Sequence, residues 1–232
     1  MRAQEEHVLL LDSGDIFQGT PYFNFFGGEL EIKLMQEMKY DASTIGNHDF
    51  DNGIDNLVKQ MGFAGFPMIN SNYNYQDNAL SEITKDHMVI ERGPLKIGIC
   101  GVGIQLDGLV PKKLYSNTQY LDPIESVQKV ADHLKLDLKC DLVICLSHLG
   151  YKYKDSTVSD TVLAQNSRNI DLILGGHTHT FLDKPDILKN TYGEPVIINQ
   201  VGWAGIMLGR IDIRFEKNKK GACASCTNLF VN

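Results

Sequence analysis

The chain has 232 residues, and its 22 Lys and Arg against 29 Asp and Glu give a formal net charge of -7. That balance argues against a nucleic-acid surface, because binding a polyanion depends on Lys and Arg displacing condensed counterions. It leaves a small phosphorylated substrate open, since cations can reverse the field within one cleft. With 43% hydrophobic and 22% charged residues, the composition excludes disorder and fibrous repeats and fits one globular domain with a full core.

Val8 to Leu11 is the first apolar run. It reads as a strand and is far too short for a membrane span or a signal-peptide core. A helix over Glu29 to Met38 follows, then a strand over Ala42 to Ile45, a helix over Asp55 to Met61, and strands over Pro67 to Asn70 and Lys96 to Val102. Asp122 is an N-cap residue type with Pro at the next position, which starts a helix running from Pro123 to Leu138. Beyond it come a strand over Leu142 to Leu146, a helix over Thr157 to Asn166, and strands over Ile170 to Leu174, Val196 to Asn199 and Met207 to Phe215.

This alternation predicts an α/β fold, a layered sheet core flanked by helices. The wholly apolar runs Leu142 to Leu146 and Ile170 to Leu174 fit strands hidden on both faces. Residues 1–216 read as one domain and 217–232 as a C-terminal tail, opened by the basic run Lys217 to Lys220. The five cysteines are odd in number and too sparse for a disulfide scaffold. Cys100 and Cys145 sit in strand-like runs and read as small buried hydrophobes. Cys223 and Cys226 form a C-x-x-C with no partner pair and no strand-to-helix context, so a thiol redox module is a remote reading.

Chemistry gathers where the strands stop: Asp12-Ser13-Gly14-Asp15, Gly46-Asn47-His48-Asp49, Ser147-His148, and Gly175-Gly176-His177-Thr178-His179. In an open α/β sheet such ends converge on one edge, where ligands bind. The clusters supply a carboxylate (Asp15), an amide oxygen (Asn47) and imidazoles (His48, His148, His177, His179). Mixed nitrogen and oxygen donors without thiolate suit Zn, Mn or Fe and suit Ca poorly. Any one of these residues alone is more readily a turn or core residue than a ligand. Together, four of the seven histidines directly follow strands, and that points to a metal centre. His7, His87 and His133 lack the setting and read as structural. On an extended segment, His177 and His179 project to the same side, and Asp15 could bridge two ions spaced to clamp a phosphoryl group.

The ordered motifs resemble the calcineurin-like metallophosphoesterase superfamily over nearly the whole chain. Asp12 to Gly19 and Gly46 to Gly53 look like its 5′-nucleotidase branch, which includes 2′,3′-cyclic-nucleotide phosphodiesterases. The resemblance implies a hydrolase that cleaves nucleotide phosphomonoesters or cyclic nucleotides with metal-activated water. Position by position, it implies that Asp15 bridges two divalent metals, that Asn47, His148 and His177 complete one shell, and that His179 serves the other metal. Asn47 and His48 would contact substrate, with His48 catalytic and Asp51, in preference to Asp49, holding its ring. A carboxylate partner fixes tautomer and orientation.

Two departures shape the expectations. The family's first strand ends in Asp-x-His, and nothing before Val8 resembles it. An architecture lacking that N-terminal strand predicts one well-occupied metal, a weak second site, low activity and an unpaired sheet edge. The competing reading is a truncated or non-catalytic remnant that binds one metal or phosphate and needs another segment to act. Relatives in the branch also carry a C-terminal nucleoside-binding domain that is not in this sequence, and they are often exported or periplasmic. Phe17, Tyr22, Phe23, Phe25 and Phe26 read equally as cleft-mouth aromatics or as core.

Overall fold

The computed structural model describes residues 3, 5–76, 78–215 and 222–231, with backbone only at 222–224. Two sheets stack face to face. The first is wholly parallel, in the order Leu11–Asp12, Ala42–Ser43, Met68–Ile69, Thr84–Lys85. The second has six strands in the order Asp186–Lys189, Pro195–Asn199, Leu172–Gly175, Leu142–Ser147, Leu95–Val102, His87–Arg92, with the four inner strands parallel and both edge strands antiparallel.

Side-chain alternation along the inner strands explains the layering. On Leu142–Ser147, Leu142, Ile144 and Leu146 point between the sheets with Ala42, Ile69, Ile97 and Ile99. Val143 and Cys145 point outward, onto Val127, Val130, Ala131 and Leu134 of the covering helix. The other sheet is covered by helices Pro21–Phe26, Glu29–Glu37 and Gly53–Met61, whose Phe23, Ile32, Met35, Ile54 and Leu57 pack around Phe17, Ile45 and Met68. The result is helix, sheet, sheet, helix, with an apolar core in each of the three gaps.

The expected helix after Asp122 begins as read: the Asp122 carboxylate accepts from Glu125 N at 2.8 Å, and Pro123 occupies the first turn. It runs regularly to Asp132 and then widens into a π turn over His133–Asp137. The helix expected over Thr157 to Asn166 starts later, at Asp160, where Ser159 caps it by accepting from Val162 N. The first strand is Leu11–Asp12, C-terminal to most of the expected Val8 to Leu11 run. Among the described residues it pairs on one side only.

Besides the short pieces Tyr73–Asn74, Leu80–Ile83, Thr84–Lys85, Lys112–Tyr115 and Gln119–Tyr120, the pattern reading missed the helix Pro21–Phe26 and the strands His87–Arg92, Asp186–Lys189 and Ala222–Phe230. The last lies in the segment read as a tail, and it pairs antiparallel with Met207–Arg214 through a bulge between Asp212 and Ile213. Lys217 to Lys220 lie outside the described residues. Cys100, Cys140 and Cys145 are buried free thiols, and Cys226 is disulfide-bonded. No helix among the described residues is long and apolar enough to cross a membrane.

Candidate metal centre

The polar clusters follow the C-terminal ends of parallel strands in both sheets, and they meet at one rim. Asp15 stands after Leu11–Asp12, Asn47 and His48 after Ala42–Ser43, His148 after Leu142–Ser147, and His177 and His179 after Leu172–Gly175. Backbone bonds lock the strand ends together there: His148 N donates to Val102 O at 2.7 Å and Gly176 N to Ser147 O at 2.9 Å. Gly46 allows the closest approach, since a Cβ there would lie 2.2 Å from Asp15 Oδ1.

Asp15, His148 and His177 each present a ligating atom within 4.8 Å of the others. His148 is fully buried. Its Nδ1–H donates to the Ser13 carbonyl at 2.6 Å, which aims Nε2 into the site. That Nε2 lies 2.9 Å from Asp15 Oδ2, yet the contact lacks hydrogen-bond geometry, and the atom has no hydrogen-bond partner. Without metal the two stand as an ion pair across this distance, and a divalent cation ligated by both would take the place of the imidazolium proton. His177 Nδ1 stands 2.9 Å from the Oδ1 of Asn47, itself only 6% exposed, and the His148 and His177 rings meet edge to face with centroids 5.2 Å apart. The donor set therefore fits a divalent metal that accepts mixed nitrogen and oxygen ligands.

His179 lies outside this close group. It has left-handed backbone (φ 51) and stacks on Trp203 at 5.9 Å and 17°. His48 is half-buried; its Nδ1 lies 2.9 Å from Asp51 Oδ2, and its backbone N donates to Asp15 Oδ1 at 2.7 Å. Asp49 faces elsewhere. Its carboxylate accepts from the backbone N–H groups of Asp15, Ile16, Phe17 and Gly46, at 2.8 to 3.3 Å.

Charge follows burial and proximity. Burial works against ionisation of both Asp15 and His148, but each stabilises the other's charge, so the Asp15 carboxyl is held low and the His148 imidazole raised. Burial and the neighbouring His148 push His177 down to about 4, leaving it neutral and able to ligate at neutral pH. Burial and the Asp15 charge push Asp49 up to about 7, against four N–H donors that favour its ionised form.

The family description of calcineurin-like phosphoesterases matches residues 1–181. The chain belongs to this family. Among individual relatives, the snake venom 5′-nucleotidase of Crotalus adamanteus is 31% identical over 93% of this chain and 38% of its own length. The 5′-nucleotidase of Homo sapiens is 30% identical over 94% of this chain and 39% of its own length. The crystal structure of a 5′-nucleotidase precursor from Thermus thermophilus superposes with a TM-score of 0.89 at 28% identity, covering 99% of this chain and 46% of that one. The fold is therefore the layered α/β architecture of calcineurin-like phosphoesterases, and the chain spans less than half the length of these relatives.

The family motifs leave several neighbours of the site unannounced. Pattern reading missed the Ser13 carbonyl, the buried carboxyl of Asp160 under Ser147, the side chain of Gln18, and Gln200. Buried Gln200 accepts from Thr178 Oγ1 at 3.0 Å and Thr180 N at 2.5 Å and donates to Gly176 O at 2.7 Å, bracing the loop that carries His177 and His179. A polar residue directly after a strand was the available signal for Gln200. The aromatic group splits: Phe17 and Phe23 stack at 5.6 Å in the core, whereas Tyr22, Phe25 and Phe26 are exposed.

Proposed function

We propose that this chain hydrolyses phosphate esters of nucleotides, as 5′-phosphomonoesters or cyclic nucleotides, with Asp15, Asn47, His148 and His177 holding one divalent cation and His179 contributing to a second. The buried His148 Nε2 that faces the Asp15 carboxylate without a hydrogen bond carries the reading. A cation bound there would polarise the phosphoryl oxygen and lower the pKa of a coordinated water. Asn47 and His48 bind the substrate phosphate in this reading. The bond from His48 Nδ1 to Asp51 fixes the tautomer and leaves Nε2 available to stabilise charge or protonate the leaving oxygen.

The names of the relatives support nucleotides as the substrate class, since snake venom and human relatives are both 5′-nucleotidases. Nucleoside recognition we assign to a separate C-terminal domain, with residues 1–216 as the phosphoesterase domain; the relatives' greater length supports this. Venom and precursor relatives likewise support an exported protein. The test is hydrolysis of p-nitrophenyl phosphate, AMP and 2′,3′-cyclic AMP with added Mn or Zn, for the wild type and His48→Ala. Loss of His48 is expected to lower kcat by roughly 100-fold or more. Equal rates for the two proteins remove His48 from the mechanism, and rates unaffected by a chelator overturn the metal reading.

A second reading, one-metal binding without turnover, draws on the presence of a single close group of three ionisable ligands among the described residues.

A further inference from the structure

Asp51 Oδ2 accepts two hydrogen bonds, one from His48 Nδ1 and one from Gln18 Nε2, each at 2.9 Å. Gln18 comes from the loop after the first strand, and 33 residues separate it from Asp51 in the chain. Its other amide atom is engaged too, since Oε1 accepts from the backbone N–H of Gly19 at 3.2 Å. The side chain is thus held at both ends although it is exposed.

The backbone underneath is unusual. Gln18 has φ 79, in the left-handed region where a residue with a Cβ is disfavoured. Such strain persists where surrounding contacts impose it, and it clusters at functional sites. Here the strained backbone accompanies a side chain bonded to Asp51. Asp51 in turn ends a single turn of 3-10 helix, His48–Phe50, and Gly53 with φ 78 follows two residues later. The Asp51 side chain is 23% exposed, so its carboxylate is held partly out of water. Two donors converging on one oxygen set its rotamer, and with it the direction of the imidazole.

We propose that Gln18 is a positioning residue for His48, acting through Asp51, in the hydrolytic site described above. Gln18 itself makes no hydrogen bond to the candidate metal ligands or to His48 in this arrangement. Its amide keeps Oδ2 of Asp51 where the Nδ1–H of His48 must donate to it, and so keeps Nε2 of His48 as the free nitrogen. The reaction this serves rests on the reading under Proposed function; the geometry of Gln18, Asp51 and His48 does not.

Two variants separate the donor from the shape. Gln18→Gly removes the side chain and relieves the backbone; Gln18→Glu keeps size and reach but turns an acceptor toward the Asp51 carboxylate. Imidazole nitrogen NMR of the whole chain, at a pH where His48 is neutral, reads its tautomer directly. The wild type is expected to show the Nδ1–H form, and both variants a mixture of the two tautomers. An unchanged, single tautomer in both variants overturns the proposal, whatever the activity.

Steady-state kinetics on p-nitrophenyl phosphate give a second readout. Both variants are expected to lower kcat about tenfold or more with KM little changed, and Gln18→Gly is expected to cost nothing further once Asp51 is Ala. The same fold loss in wild-type and Asp51→Ala backgrounds means that Gln18 acts independently of Asp51, which also overturns the proposal. A wild type with no hydrolytic activity under any metal overturns the proposed function instead, and the tautomer measurement still decides Gln18.

Discussion

Asp160→Asn tests the energetics beneath the site. Asp160 is fully buried; its Oδ1 accepts from Ser147 Oγ at 2.5 Å, while Oδ2 has no hydrogen-bond partner. Burial pushes the carboxyl up to about 7 from 3.8, with the Ser147 bond pulling the other way. Between those two values the folded protein keeps a proton that the unfolded chain has released. For an acid whose folded pKa is raised, stability is therefore complete below about pH 4, is lost as pH rises to about 7, and stays level above. A rise of about three units corresponds to about 4 kcal/mol. Asn cannot ionise and still offers Ser147 an acceptor, but it buries an amide N–H₂ whose unmet bonds cost about 1 to 3 kcal/mol. The variant is thus expected to be less stable than wild type near about pH 4 and more stable near about pH 8, the difference moving by about 4 kcal/mol. Urea unfolding in chelator across that pH range measures it. A difference between the two proteins that stays flat with pH refutes the reasoning.

Titration calorimetry with Mn or Zn should find one tightly held equivalent and a second at least about 100-fold weaker, the tight one vanishing in Asp15→Asn because His148 and His177 then share no anionic partner. Two equally tight equivalents contradict the ligand assignment. Gly28→Ala should lower stability by about 2 to 5 kcal/mol in urea unfolding, because a Cβ there would sit 2.2 Å from the buried Phe17 ring on backbone with φ 99. An unchanged midpoint shows that the Phe17–Phe23 stack is looser than the packing implies.

The inner strands were legible in the sequence because they are buried on both faces. Leu142 to Leu146 carries no polar residue, and its side chains feed two different cores. The edge strands were not legible, for the converse reason. His87–Arg92 and Asp186–Lys189 are half-buried or exposed, and only the short apolar runs Met88 to Ile90 and Ile187 to Leu188 stand between their polar and charged ends, so their pattern resembles surface loop. Ala222–Phe230 has small and polar residues in place of an apolar stripe, and pairing with Met207–Arg214 defines it. In the helix after Pro123, apolar spacing continues through Leu134 and Leu138 while the backbone widens, so the pattern gave the length and missed the π turn.

At the site, glycine and ligand-type residues directly after strands marked the candidate ligands, since both follow from chain geometry at a sheet edge. The residues that hold them are long-range partners, and no local spacing encodes those. Asp49 shows the difference. Read locally it is a helix-terminal acid, but three of its four N–H bonds tie the loop of Asp15 to the loop of Asn47 across 32 to 34 residues. A carboxylate so used is unavailable to a cation, and this accounts for its standing beside the candidate ligands while facing away from them. Its work is done before any metal arrives. With Asp49 pinning one side of the rim and Gln200 the other, the groups presented to an ion occupy fixed places, so ordering them on binding costs little. The left-handed backbones at Asp15, His177 and His179 (φ 61, 66 and 51) are the strain this preorganisation carries.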